Sequence, residues 1–141
     1  MSLVLTIDSH QGVGKLKYGM TAAEVRATVA TAYEPFERTK NGRASDHFSS
    51  DGIFAYYNDT GLLNALEFHA PANVKLLGNI LFECSFQQLL YLLSQNDNNI
   101  EIDDTGLTSL ELGLGCYAPG HREAPNDLIE GIITFEKGYY D

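Results

Sequence analysis

The chain has 141 residues, two cysteines, no tryptophan and a formal net charge of -10. A chain of this length buries roughly two-thirds of the surface its unfolded form exposes, so a single domain over residues 1–141 needs no disulfide framework, and Cys84 and Cys116 read as buried free thiols. No apolar run approaches the ~18 residues of a membrane span, and Met1–Gly12 has neither a basic lead nor a small-residue cleavage site, which predicts a cytoplasmic chain with no membrane partner.

Leu3–Ile7 is aliphatic and β-branched and predicts a short strand; Asp8–Gly14 predicts a turn. Val13, Leu16 and Tyr18 partly alternate with Lys15 and Lys17, giving a second short strand that ends at Gly19. Thr21 with Glu24 three residues on satisfies orphan amides reciprocally at a helix start, and Val25 and Val29 give that helix an apolar face to about Ala32 before Pro35. Glu34–Ser50 is polar, broken by Asn41-Gly42, and reads as an exposed loop with optional strand pairing around Phe36–Thr39. Ile53–Tyr57 and Leu62–Phe68 flank Asn58-Asp-Thr-Gly61 as a β-hairpin.

The most apolar stretch follows, with strands predicted at Val74–Leu77 and Ile80–Phe82 and a helix from Ser85, paired with Gln88, to about Gln95. Asp103-Asp-Thr-Gly106 predicts a turn held by Asx chemistry. Leu110, Leu112 and Leu114 recur every second residue and predict one half-buried strand over Ser109–Tyr117. Ala118–Asp127 is a loop, Leu128–Glu136 a strand, and Lys137–Asp141 an exposed-looking tail.

An offset of 64 residues relates the two halves: Gly14 answers Gly78, Leu16 Ile80, Tyr18 Phe82, Thr21 Ser85, Glu24 Gln88, Val25 Leu89 and Val29 Leu93. This pattern predicts a duplicated helix-plus-strands unit, spanning about 12–70 and 74–138. The economical architecture is α+β: one antiparallel sheet, two helices on one face, and the other face open.

Gly19-Met-Thr-Ala-Ala-Glu-Val25 resembles the helix-start motif of the β-lactamase inhibitor protein and of small outer-membrane-assembly lipoproteins, whose folds use helix-then-strands units, duplicated in the inhibitor. The resemblance implies a duplicated α+β sheet whose open face grips another protein. The chain departs from the lipoproteins in lacking an export signal and a lipid-bearing Cys, and from the inhibitor in lacking its disulfides. In size and acidity it is also similar to bacterial immunity proteins that neutralise a nuclease toxin.

Charge is unevenly placed. Residues 76–141 hold eleven acids against two bases, and neither Lys nor Arg occurs between Lys75 and Arg122. Phosphate binding needs the opposite sign, which excludes direct nucleic-acid contact on this half and favours a basic protein partner. The residues expected to meet it are Glu83, Asp97, Glu101, Asp103, Asp104 and Glu111, with Tyr56, Tyr57 and Tyr117. In Tyr56-Tyr57, one ring must face each side of its strand. Gly12-Val-Gly-Lys15 fails as a phosphate loop, because its glycines are misplaced and Leu16 stands where Ser or Thr would reach magnesium. No catalytic set, cofactor or metal site is expected. The sequence therefore predicts a non-enzymatic protein-binding module, an acidic immunity or inhibitor protein that occludes a basic toxin such as a nuclease. The alternatives are a small enzyme or metal-binding protein using His47, His69 and His121, or an oligomerising structural module.

Overall fold

The computed structural model describes residues 3–37 and 44–140. Among them are two helices and thirteen strands in two sheets, and the fold is mostly sheet. The first half runs β1 (Leu5–Asp8), β2 (Gly12–Val13), β3 (Leu16–Lys17), α1 (Ala22–Val29), β4 (Glu34–Glu37), β5 (Ala44–Phe48), β6 (Ile53–Tyr57) and β7 (Leu63–Phe68). The second runs β8 (Val74–Leu76), β9 (Asn79–Ile80), a 3-10 turn (Leu81–Glu83), α2 (Phe86–Ser94), β10 (Glu101–Asp103), β11 (Gly106–Ser109), β12 (Leu114–Tyr117) and β13 (Gly131–Phe135). Setting β1 aside, each half is a short hairpin, a helix and four strands.

Both helices begin with the same local chemistry. The Thr21 and Ser85 hydroxyls accept from the amides of Glu24 and Gln88, whose side chains accept from the Thr21 and Ser85 amides. Each cap residue also bridges to a leucine later in its half, Thr21 to Leu62 and Ser85 to Leu128. α1 stops at Val29, short of the predicted Ala32, because Ala30 turns left-handed at φ 61° and donates its amide to the Arg26 carbonyl.

The large sheet has strand order β10-β11-β12-β13-β7-β6-β5-β4, antiparallel throughout, so the four strands of each half meet at the β13·β7 pair. The expectation of a single antiparallel sheet is corrected by a second, five-stranded one, β3-β2-β1-β8-β9. There β1 pairs antiparallel with β2 and parallel with β8, joining the opening hairpins of both halves. Its Leu5 and Ile7 are buried and its Thr6 and Asp8 exposed, the alternation of a strand covered on one face. The helices are therefore not alone on the core side. Val25, Val29, Phe86, Leu89 and Leu93 share one buried cluster with Val13, Leu16, Val74 and Leu76 of the small sheet and with Phe48, Ile53, Leu66, Phe68 and Ile132 of the large one.

Two further expectations change. Glu34–Phe48 is not simply a loop: β4 and β5 pair as the sheet's edge, while the Asn41-Gly42 turn lies outside the described residues. Ser109–Tyr117 is not one strand but the last residue of β11, a turn, and the whole of β12. Gly113, at φ 73°, donates to the Ser109 carbonyl and the Ser109 hydroxyl accepts the Leu112 amide, which turns the chain and leaves Leu110 exposed. The tail is exposed as expected at Lys137, Gly138 and Tyr140, while Tyr139 is half-buried and stacks on Phe135 at 5.7 Å, with Tyr140 edge-on to Phe135 at 5.0 Å.

The helices are secured by different means. α2 inserts Phe86, Leu89 and Leu93, whereas the shorter apolar face of α1 is supplemented by a fork-to-fork ion pair, Arg26 Nε and Nη2 to Asp46 Oδ2 and Oδ1, both at 2.9 Å. The Tyr57 hydroxyl donates to Asp46 Oδ2 at 2.8 Å, and the guanidinium lies 4.3 Å from the Tyr33 ring centroid. Asp46 is 1% exposed, while the Arg26 side chain is 35% exposed. Losing the cation strands a charge that water cannot reach; losing the anion leaves one that it can. Arg26→Met is accordingly expected to cost about 3 kcal/mol in urea unfolding and Asp46→Asn clearly less; the opposite order would show that the pair is not what holds α1.

Candidate protein-binding face

Alternation along the strands gives the large sheet a second face, turned away from the helices. Its residues follow from the register. Glu101 faces Thr108, Thr108 faces Gly115, Gly115 faces Ile133, Ile133 faces Glu67, Glu67 faces Phe54, Phe54 faces His47, and His47 faces Glu34. One row thus crosses all eight strands, about 34 Å at the usual strand spacing. Beside it lies a smaller apolar cluster of Tyr56, Ala65 and Phe135, flanked by Phe36, Phe54, Ile133 and Tyr139. The eight strands contain no Lys or Arg. Glu67 therefore stands beside Phe54, Glu34 beside His47 and Glu101 beside Thr108, with no Lys or Arg from the strands on their face.

Glu67 is the best fixed of these acids. Its Oε1 accepts the Tyr56 hydroxyl at 2.9 Å, and it has no ion-pair partner among the described residues. Next to it the surface sinks. Gly115 and Gly131 carry no side chain toward this face, and between Tyr117, Ile133, Thr108 and Glu67 they leave a trough of about 310 Å³. Tyr117 stands over it, 52% exposed.

His47 and His69 also meet here. His47 stacks on Phe54 with 4.0 Å between centroids, and its Nε2 lies 3.1 Å from His69 Nε2. The carbonyl of Ala70, 2.7 Å from His69 Nδ1, can only accept, so that nitrogen carries hydrogen and His69 Nε2 accepts from His47 in the neutral pair. His121 is not with them: it is buried, stacked on Phe86 and bonded through Nε2 to the Asp103 carbonyl. The three-histidine site is thus reduced to a pair, and among the described residues no group of three or more His, Cys, Asp or Glu is placed to hold a metal ion.

The acids expected to meet the partner are dispersed. Glu101 and Asp103 lie on edge strand β10, with Glu101 on the open row. Asp103 accepts from Thr105 and Gly106 as an Asx turn, and the Thr105 hydroxyl, its chief partner, holds its carboxyl below the ordinary range. Asp104 pairs with Arg122 at 3.0 Å. Asp97 is buried, accepting the Ser109 hydroxyl at 2.7 Å and the Asn99 amide at 2.8 Å, so its charge serves the fold. The Glu111 carbonyl accepts from His10 in the β11–β12 turn. Glu83 lines a broad concavity beside α2, on the helix side. The tyrosines divide as alternation requires: Tyr56 and Tyr117 face the open side, whereas Tyr57 turns to Asp46 and Arg26. Glu34, Glu67, Gly115 and Gly131 were missed by sequence reasoning. Leu66-Glu67-Phe68 carried a signal, since an acid between two core residues must face outward, and so did glycines inside strands.

Comparisons with protein-family models, with curated protein sequences and with solved structures found no match. Among the described residues no helix is long and apolar enough to cross a membrane.

Under the trough, Cys116 is nearly inaccessible, and burial raises its thiol from 9.0 to about 11. Burial likewise pushes the Tyr18 and Tyr57 hydroxyls upward, with Asp46 adding to the rise at Tyr57. These groups keep protons in the fold that the unfolded chain releases earlier, so stability falls as pH rises through that interval. The urea midpoint is expected to drop as pH rises from about 9 to about 11, less steeply in Cys116→Ala; a flat profile would contradict the burial of these groups.

Proposed function

We propose that the chain is a non-enzymatic protein-binding module that occludes a basic protein, an acidic immunity or inhibitor protein acting on a cationic toxin domain such as a nuclease. The observation that carries this reading is the open row of the large sheet, where Glu101, Glu67 and Glu34 are spaced along Thr108, Gly115, Ile133, Phe54 and His47 on strands that contain no Lys or Arg. Tyrosines and phenylalanines give such a face contact area at low conformational cost, and unopposed carboxylates steer a cationic partner onto it. A row about 34 Å long has room for a standard interface of roughly 800 Å² per partner. The resemblance of Gly19–Val25 to proteins that grip others through a sheet points the same way.

Close charge pairs across such an interface couple by about 1.5 to 7 kcal/mol, so a few acids dominate. The test begins with capture from the native host and continues with the purified partner. Binding is expected to weaken steeply with salt, and Glu67→Gln with Glu101→Gln is expected to weaken it at least tenfold, whereas Glu83→Gln on the helix side leaves it unchanged. Affinity indifferent to salt, or a larger loss in Glu83→Gln, would overturn the reading.

A further inference from the structure

The contrast between the two glycines of the trough is informative. A Cβ built on Gly115 would lie 3.1 Å from the Leu107 carbonyl oxygen and 3.3 Å from Ile133 Cγ2, tight contacts that a side chain there could take up only if its neighbours gave way, so packing favours glycine. At Gly131 the nearest atoms to such a Cβ, the Phe68 carbonyl oxygen and Tyr117 Cβ, are both 3.6 Å away, an ordinary contact. The backbone at Gly131 is not left-handed either. Nothing in the fold demands a missing side chain at Gly131, and a glycine within a strand costs about 0.5–1 kcal/mol relative to alanine. What its smallness does is keep the trough open.

The walls say what the trough accepts. At one side is the Glu67 carboxylate, which accepts the Tyr56 hydroxyl at Oε1 and has no hydrogen bond to Oε2 among the described residues; at the other is the exposed Tyr117 ring. Ile133 and the glycine backbone supply an apolar floor. A volume of about 310 Å³ lies at the lower end of the ~300–1,000 Å³ of small-ligand sites, enough for one long side chain. Arginine suits every surface: its stem lies along apolar floor, its guanidinium meets a carboxylate, and its plane stacks on tyrosine.

Resting on the docking reading and going one step further, we propose that the trough over Gly115 and Gly131 is the receptor for a single arginine side chain of the basic partner, with Glu67 as its counter-charge and Tyr117 as its stacking wall. The inference can be tested without the partner. N-acetyl-arginine methylamide, titrated into the ¹⁵N-labelled chain, is expected to shift the Gly115 and Gly131 amides saturably, and N-acetyl-norleucine methylamide to bind more weakly by about fivefold or more. Gly131→Val fills the floor with a residue that strands favour and is expected to abolish the shift while keeping the circular dichroism of the native chain; Gly131→Ala is a smaller step should valine disturb the sheet. Glu67→Gln is expected to remove the preference for arginine over norleucine. Equal response to both probes, an unchanged response in a folded Gly131 variant, or shifts confined to the concavity beside α2 would overturn the inference. The two readings fail separately. A partner held through Glu34 and Glu101 by a chain that ignores the arginine probe refutes the receptor alone, whereas saturable probe binding by a chain with no salt-sensitive partner upholds the receptor and refutes the docking reading.

Discussion

The register of β7 against β13 governs everything on the open face. Ala65 to Phe68 meets Phe135 to Ile132 at the centre of the large sheet, and this pairing joins two four-stranded halves into one continuous surface. Because side chains alternate with a period of two, a slip of one residue would turn Glu67 into the core and Leu66 and Phe68 into water. Leu66, Phe68 and Ile132 are fully buried in the main cluster, and that burial fixes the register. At roughly 25 cal/mol per Å², exposing three such side chains would cost several kcal/mol, a large part of the stability of a domain this size. The acid row and the trough follow from apolar packing on the other side of the same strands.

Sheet pairing alone would leave the halves hinged along one seam. β1 adds a second seam, because its antiparallel bond to β2 and its parallel bond to β8 tie both opening hairpins together below the core. Loop-closure entropy explains why a terminal strand can do this at modest cost: the penalty grows only slowly with the length of chain enclosed. The unequal helices fit the same frame. α2 supplies enough apolar surface to seat itself, while α1, with two buried valines, depends on the Arg26–Asp46–Tyr57 cluster for orientation. The first half thus carries a half-buried charge pair, Arg26 with Asp46, where the second carries leucines, although both share an order of elements.

What the sequence disclosed and what it hid separate along physical lines. Helix starts at Thr21 and Ser85, the turn at Asn58–Gly61 and the Asx turn at Asp103 were legible because each is made by residues two to four apart. The Ser109–Tyr117 stretch misled because leucines at alternate positions satisfy a strand pattern, while the turn that breaks it depends on the left-handed Gly113 and the Ser109 hydroxyl. The strands of the small sheet were legible one by one, but their assembly into a separate sheet was not, since β1 finds β8 almost seventy residues away. The acids failed for a different reason. Charge along a chain says nothing about faces, so Asp97, Asp104 and Glu83 read alike yet end in the core, in an ion pair and on the helix side.

A carboxylate without a cation beside it is tolerable on a free surface because water solvates it. Covered by a neutral partner, Glu67 would lose that water and gain nothing, a penalty of several kcal/mol for a desolvated charge. Covered by a cation, it recovers the loss through a charge-assisted hydrogen bond whose direction Tyr56 has already set. Excluding Lys and Arg from all eight strands therefore does more than attract positive charge. In the docking role we propose, it would make every uncharged or acidic surface a poor fit, so discrimination would come from the cost imposed on wrong partners as much as from affinity for the right one.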